Sequence, residues 1–360
     1  MADTNILTTD GVTAEKFMNT VFQEYREKLV TKPYMGFGSE KVIQISQDLT
    51  KGAGDAVTFN LAGALTGAGV AGSGTLEGNE EAQNYYAKRV LVDQCRNAVR
   101  IPTMSEQRTA FSIMNEAKPA LTTWMAQKVE DDVFEALESI NGVAYATATA
   151  GQKDAWNADN EDRVLFGAAV ANYNATHATA LANIDATNDI LNTAQISLAK
   201  RRAQRAGIRP IKIENGNEYF VLFANELCVR DLKETTAWQQ AQREALPRGI
   251  DNNIFTGMAG IYDGVIIKET TKINPIAGVG AAGIDVAMNS LCGAQAVLFA
   301  QAATPKGFVV DMVEEPFDYH DKKGVAIRSI YGIEKATFKT IVTNPAQHGV
   351  VSVFSAAVAD

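Results

Sequence analysis

An α+β fold is predicted for this chain, with helices and strands in separate stretches rather than in alternation. Three observations predict it: two β-rich runs flank a glycine-rich tip between Asp55 and Ile101, one apolar helical face continues from Phe111 to Leu137, and short apolar strands follow one another from about residue 216 onward. The 360 residues are 46% hydrophobic and 21% charged, enough for one sizeable core or two modest ones.

From the start of the chain, Phe17, Val21, Phe22, Tyr25 and Leu29 recur at helical spacing within Thr13 to Val30. They predict a short amphipathic helix, stopped by Pro33, Gly36 and Gly38, in an N-terminal arm. Val57, Phe59 and Leu61 then alternate, and YYAKRVLVDQCRNAVRI from Tyr85 supplies a second β-rich run. The two runs predict a long hairpin with about ten residues per arm, reaching on the order of 35 Å. Such a ribbon is marginally stable alone in water and needs a surface to lie on.

Thr103 and Glu106 have capping-box spacing, and Phe111, Met114, Ala117, Leu121, Trp124, Met125, Val129, Val133, Phe134 and Leu137 keep one face apolar up to Asn141-Gly142. This predicts a helix of roughly forty residues, on the order of 50 Å long, kinked at Pro119; two helices broken before Pro119 are the alternative. Ala144 to Ile184, rich in Ala, Asn, Asp and Thr without a sustained period, is expected to be an elaborated insertion. Asn188 to Ala206 predicts a helix ending in Lys200, Arg201, Arg202 and Arg205 before Gly207, a basic end that suits the helix dipole and reads as a helix stop. Strands YFVLFA, GVIIKE, AVLFAQA, GFVVDMV, GVAIRSIYG and GVVSVFSAA follow, with a helix expected near Glu226 to Leu246 and DYHD at Asp318 to Asp321 as a polar hairpin turn.

Charge and motifs narrow the function. A net charge of -9 argues against binding nucleic acid by neutralising phosphates. Cys95, Cys228 and Cys292 lie far apart in sequence, form no C-x-x-C and are odd in number, so neither a zinc knuckle nor a disulfide framework is indicated. No signal-peptide pattern or run of 18 apolar residues is found, so synthesis in the cytoplasm with no membrane stage is expected. Gly67, Gly69 and Gly72 spell G-x-G-x-x-G, with Asp93 further on, which is the outline of a nicotinamide-dinucleotide site. A true site needs Gly72 to open a helix, and the sequence that follows places Gly74 and Gly78 in its first turns at about 1 kcal/mol each. Glu77, Glu80 and Glu81 could approach a divalent cation, but a solvated or ion-paired tip is the expected role. His177, His320 and His348 form no metalloprotease motif, and no nucleophile elbow, Walker loop or EF-hand loop is present. No catalytic, cofactor-binding or metal residue is predicted.

The order of arm, glycine-tipped hairpin, long helix and late β-rich half resembles the HK-97-type major capsid proteins of tailed bacteriophages. LTGAGVAGSGTLEGNEE, VDQCRNAVRIPTMSEQRT, NNIFTGMAGIYDGVIIKE, LCGAQAVLFA and IYGIEKATF, in that order, are similar to segments of one capsid family of short-tailed phages. The resemblance implies a non-enzymatic shell subunit divided into an N-terminal arm (1–54), an extended hairpin or E-loop (55–101), a peripheral domain with the spine helix (102–187), an axial domain (188–284) and late strands returning to the peripheral domain (285–360). It implies that Gly67, Gly69, Gly72, Leu76, Glu77, Gly78, Glu80 and Glu81 form an inter-subunit hairpin tip. Phe111, Leu121, Trp124 and Val133 would belong to the spine helix, and Phe255, Gly257, Tyr262 and Gly264 to an axial-domain motif. The partners implied are further copies in pentamers and hexamers, a separate scaffolding protein, a portal, decoration proteins and packaged double-stranded DNA held without sequence specificity. An encapsulin-like cellular compartment of the same fold and a nicotinamide-dependent oxidoreductase using Gly67 to Gly72 are the competing expectations.

Overall fold

A computed structural model describes residues 29–49, 55–65, 67–109, 111–212, 216–244, 260–303, 309–338 and 345–358. Most of the expected N-terminal helix, and the motif residues Phe255 and Gly257, lie outside them.

The first strands are β1 (Met35–Gly36), β2 (Ile43–Leu49), β3 (Ala56–Ala62), β4 (Tyr85–Leu91) and β5 (Asp93–Pro102). The second β-rich run is therefore two strands, separated at Val92. Helices α1 (Thr103–Arg108) and α2 (Ile113–Glu138) replace the single helix expected from Thr103. The Thr103–Glu106 capping box does not form: the Thr103 hydroxyl instead donates to the Asp321 carbonyl at 2.6 Å, and Glu106 accepts from Ser112 at 3.1 Å. Ser112 is the cap that starts α2, accepting from the Asn115 amide, so Phe111 precedes the helix and is not part of it. The break thus falls ahead of Ser112, and α2 runs through Pro119. With 26 residues it is about 39 Å long. Ala117, Leu121, Met125, Val133 and Leu137 repeat at multiples of four and are buried, while Trp124 is half-buried against the same core.

The next elements are α3 (Ala150–Asp159), β6 (Val164–Phe166), α4 (His177–Ala182) and α5 (Thr193–Arg205). A Thr149–Gln152 capping box starts α3. Asn192 caps α5, and Gly207 at φ +71 ends it, as expected from the sequence. The segment expected to be a loose insertion has its own core, in which Trp156, Phe166, Leu181 and Ile184 pack with Met288 and Phe354. β7 (Ile211–Lys212), β8 (Glu218–Asn225), α6 (Glu226–Glu234) and α7 (Thr236–Glu244) come next, the last two in place of one expected helix.

The remaining strands are β9 (Ile261–Tyr262), β10 (Val265–Thr270), β11 (Val286–Cys292), β12 (Val297–Ala302), β13 (Val310–Phe317), β14 (Lys322–Lys335), β15 (Thr337–Phe338), β16 (Ala346–Gln347) and β17 (Val350–Ala356). They build two large sheets. One has the order β1-β2-β12-β14-β13 with β5 on the other edge of β14, and α2 packs on it. The second has the order β6-β17-β11-β8-β10-β9 with β7 beside β8. Residues 285–360 thus divide between both sheets, and Ile43–Leu49, read from sequence as arm, pairs parallel with β12. β11 and β17 are buried along their whole length. Their polar side chains join a buried network: Asn289 Oδ1 accepts from the Asn225 amide at 2.9 Å, Asn289 Nδ2 donates to Ser355 Oγ, and Ser355 Oγ donates to Gln195 Oε1 at 3.1 Å. One main hydrophobic cluster spans both sheets together with α2, α5 and α6.

Candidate assembly interface

The hairpin stands apart from both sheets as a two-stranded ribbon, with register Val57↔Val90, Phe59↔Lys88 and Leu61↔Tyr86. Period-two alternation puts these six side chains on one face. Val57 and Val90 are buried against Leu298, Ala300, Ala336 and Phe338, while Phe59, Leu61 and Tyr86 pack around the edge of that cluster. Burial therefore fades from base to tip. Seven residue pairs carry the ribbon roughly 23 Å, shorter than expected because β5 belongs to the main sheet. The base is fixed by the Val92 amide on the Asp55 carbonyl at 3.0 Å and by an ion pair from Lys88 to Glu334 at 2.6 Å. At Gly332 of β14 the hairpin backbone comes so close that an added Cβ would fall on the Leu91 carbonyl.

Beyond Gly63, whose amide donates to the Asn84 carbonyl at 2.7 Å, the tip leaves regular structure. No helix follows Gly72, and β3 and β4 are antiparallel, so the tip lacks the strand-turn-helix unit of a dinucleotide site. Gly69 and Gly72 both have φ +67, where an L side chain is strained, and an added Cβ at either meets nothing within 4 Å in the subunit. The carboxylates turn inward to the backbone: Glu81 accepts from the Gly67 amide at 2.6 Å and Glu80 from the Gly78 amide at 2.8 Å. Among the described residues no group of three or more His, Cys, Asp or Glu is placed to hold a metal ion. Leu65 and Leu76 are 61% and 62% exposed.

Of the remaining motif residues, Tyr262 packs its ring 5.9 Å from Trp238, and Gly264 at φ +70 follows Asp263 at φ +48 in the turn joining β9 to β10. Two of the four basic residues at the end of α5 are engaged: Lys200 pairs with Asp263 at 2.8 Å, and Arg202 donates to the Glu161 carbonyl at 2.7 Å.

The displaced titrations lie away from the hairpin. Burial pushes the Glu138 carboxyl up to about 7, and nearby Lys335 opposes the shift. Burial pushes the Lys335 ammonium down to about 7, opposed by Cys292 and Glu138. Lys335 Nζ donates to Gln347 Oε1 at 3.3 Å and lies 5.8 Å over the Trp156 ring, and among the described residues Glu138 Oε1 has no hydrogen-bond partner. His177 is pushed down to about 4 by burial, with its Nε2 2.7 Å from the Tyr145 hydroxyl. The Cys228 and Cys292 thiols are pushed up to about 12 by burial, and all three cysteines are free.

Sequence missed one residue that fixes the chain's entry. Glu130 on α2, only 2% exposed, accepts from the amides of Val30 and Thr31 at 2.5 and 3.1 Å. Its sole sequence signal is a carboxylate beside the apolar stripe of a helix.

A family model described as phage capsid protein matches residues 5–359. The major capsid protein of Pseudomonas phage KPP25 is 28% identical over 362 residues, covering 93% of each chain. The capsid asymmetric unit of cyanophage Pam1 superposes with a TM-score of 0.87 at 32% identity, covering 100% of both chains. The capsid of Ralstonia phage GP4 gives a TM-score of 0.77 at 24% identity over 99% of each chain.

Proposed function

The chain belongs to the phage capsid protein family, and from that premise we propose that it builds the virion shell as pentamers and hexamers around packaged DNA. It is a major capsid protein of HK-97-type fold, a structural component of the virion. Self-association follows from that role. The observation that carries the reading is the match to a capsid subunit along the full length of both chains, hairpin included.

In this reading the β3–β4 hairpin lies over an adjacent subunit, α2 is the spine of the peripheral domain, and the segment from Asn188 meets its symmetry mates at capsomer centres. The exposed leucines of the tip support the first assignment, because a neighbour would remove them from water. A separate scaffolding protein directs a precursor shell, DNA enters through a portal, and the shell expands as it fills. Decoration proteins are further candidate partners on its outside. Catalysis has no part in this role.

Negative-stain microscopy of the chain, expressed alone and with its scaffolding partner, tests the proposal. Uniform closed shells are expected only with the scaffold. Uniform shells from the chain alone would remove the scaffold from the scheme, and a persistent monomer under both conditions would sink it.

A further inference from the structure

Lys335 ends β14 in the interior: it is 3% exposed and, among the described residues, enters no ion pair. Its hydrogen-bond partner is a side-chain amide. Thr337 of β15 stands opposite Gln347 of β16, and Lys335, two residues earlier, is the diagonal neighbour whose long side chain reaches across. Lys335 Nζ thus meets Gln347 Oε1 at 3.3 Å, and Gln347 is 0% exposed.

The surroundings fix this pair and leave its reactive atoms open. Asn160 Oδ1 accepts from the Gln347 backbone amide at 2.8 Å, and Arg163 Nη1 donates to the Gln347 backbone carbonyl at 2.6 Å, so the stem that carries the carboxamide is held on both sides. Ser352 Oγ donates to Gln347 Oε1 at 3.4 Å, while Gln347 Nε2 has no hydrogen-bond partner among the described residues. Beside the Trp156 ring, burial favours the neutral amine of Lys335, opposed by Cys292 and Glu138. A neutral, desolvated lysine is a nucleophile. Glu138, at the end of α2, interacts electrostatically with Lys335, and burial keeps its carboxyl protonated up to about 7. Its Oε1 makes no hydrogen bond among the described residues, so an acid stands near the pair with its oxygen uncommitted.

We propose that Lys335 and Gln347 join through an amide bond within one subunit, with Glu138 as the proton carrier. Rotation of the carboxamide about its terminal torsion, which is a broad one, brings Gln347 Cδ to Lys335 Nζ. Nζ attacks Cδ, and the C=O electron pair moves onto Oε1, where the Ser352 hydroxyl is already placed to donate. Return of that pair breaks the bond from Cδ to Nε2. The proton lost by Nζ passes to Glu138, and a proton from Glu138 leaves on Nε2. The products are the Lys335–Gln347 amide and one molecule of ammonia, and nothing is oxidised or reduced. The bond staples the end of β14 to β16 and closes the chain between them into a ring. The titrations of Lys335 and Glu138 belong to the chain before the bond forms, because the product amide does not titrate at Lys335.

Peptide mass spectrometry tests the bond on the full chain, folded and incubated at neutral pH, then denatured and digested. The expected result is a branched peptide that joins the Lys335 and Gln347 segments and weighs one ammonia less than their sum. The chain that carries it should run as a single subunit on a denaturing gel. The link should be absent from Lys335→Met and from parent chain held unfolded throughout. In Glu138→Gln with a parent-like circular dichroism spectrum, it should form about a hundredfold more slowly. Separate Lys335 and Gln347 peptides after prolonged incubation of the folded parent would overturn the bond. A ladder of linked subunits on the gel would overturn its placement within one subunit, and an undiminished rate in Glu138→Gln would overturn the role given to that residue. The readout needs no shells, so failure to assemble and absence of the bond are separate results.

Discussion

Lys335 and Glu138 place two ionisable groups in an environment that favours neither charge, and their titrations make opposite predictions. Glu138 has a raised pKa, so its contribution to stability is complete below the ordinary carboxylate value and is lost as pH rises through about 7. Lys335 has a lowered pKa, so its contribution is present above the ordinary lysine value and is lost as pH falls through about 7. Lys335→Met should therefore raise the Tm more at pH 6 than at pH 9, and Glu138→Gln more at pH 8 than at pH 5. For each variant the difference between its two pH values should be on the order of 1–3 kcal/mol. Calorimetry across that range checks the crossing, and parallel pH profiles would refute it. At Gly332 the limit is steric. Gly332→Val should cost about 1–3 kcal/mol by overpacking and increase proteolytic cleavage within the displaced hairpin, read by limited proteolysis. Neither effect was legible in the sequence, because both depend on what the fold brings beside a residue over long separations.

At the scale of elements, legibility followed periodicity. The face containing Leu121, Met125, Val133 and Leu137 is visible as a pattern, and α2 is where that pattern places it. It starts later than the Thr103–Glu106 spacing predicts because Ser112 caps it and Thr103 is drawn to the Asp321 carbonyl once β5 pairs with β14. Ser112→Ala should destabilise the subunit by about 1 kcal/mol, whereas Thr103→Ala should leave the start of α2 unchanged; chemical denaturation compares them. β11 went unseen because Asn289 and Ser290 interrupt its apolar run, and only the tertiary network with Asn225, Ser355 and Gln195 satisfies the buried Asn289. β2 carries Ile43 and Ile45 in alternation with Gln44 and Ser46, a strand signal cut short where Gln47 takes the next apolar place. In the hairpin, Gly69→Val and Gly72→Val each impose strain of roughly 1–2 kcal/mol on irregular backbone and meet no intramolecular obstacle. The expected outcome is a folded subunit with little change in Tm and a fall in assembled shells, measured by sedimentation.

For the whole molecule, the α+β architecture could be read from the order of its segments, and the family from their signatures. The packing of residues 144–184 could not, because a core centred on Trp156 and Phe166 is completed by Met288 and Phe354, more than a hundred residues later. The net charge of -9 makes its own prediction: the free subunit should not retard double-stranded DNA in a gel at physiological salt, since it has few phosphate-neutralising cations to spare. Retardation that weakens steeply with added salt would contradict this.

The Glu130 contact has a mechanical consequence. Because one buried carboxylate holds the amides of Val30 and Thr31, tension on the leading segment enters the subunit in the second half of α2 and not at the edge of either sheet. The carboxylate acts as a cleat on the longest helix of the described residues, so a load applied at that end reaches α2 before it reaches a strand.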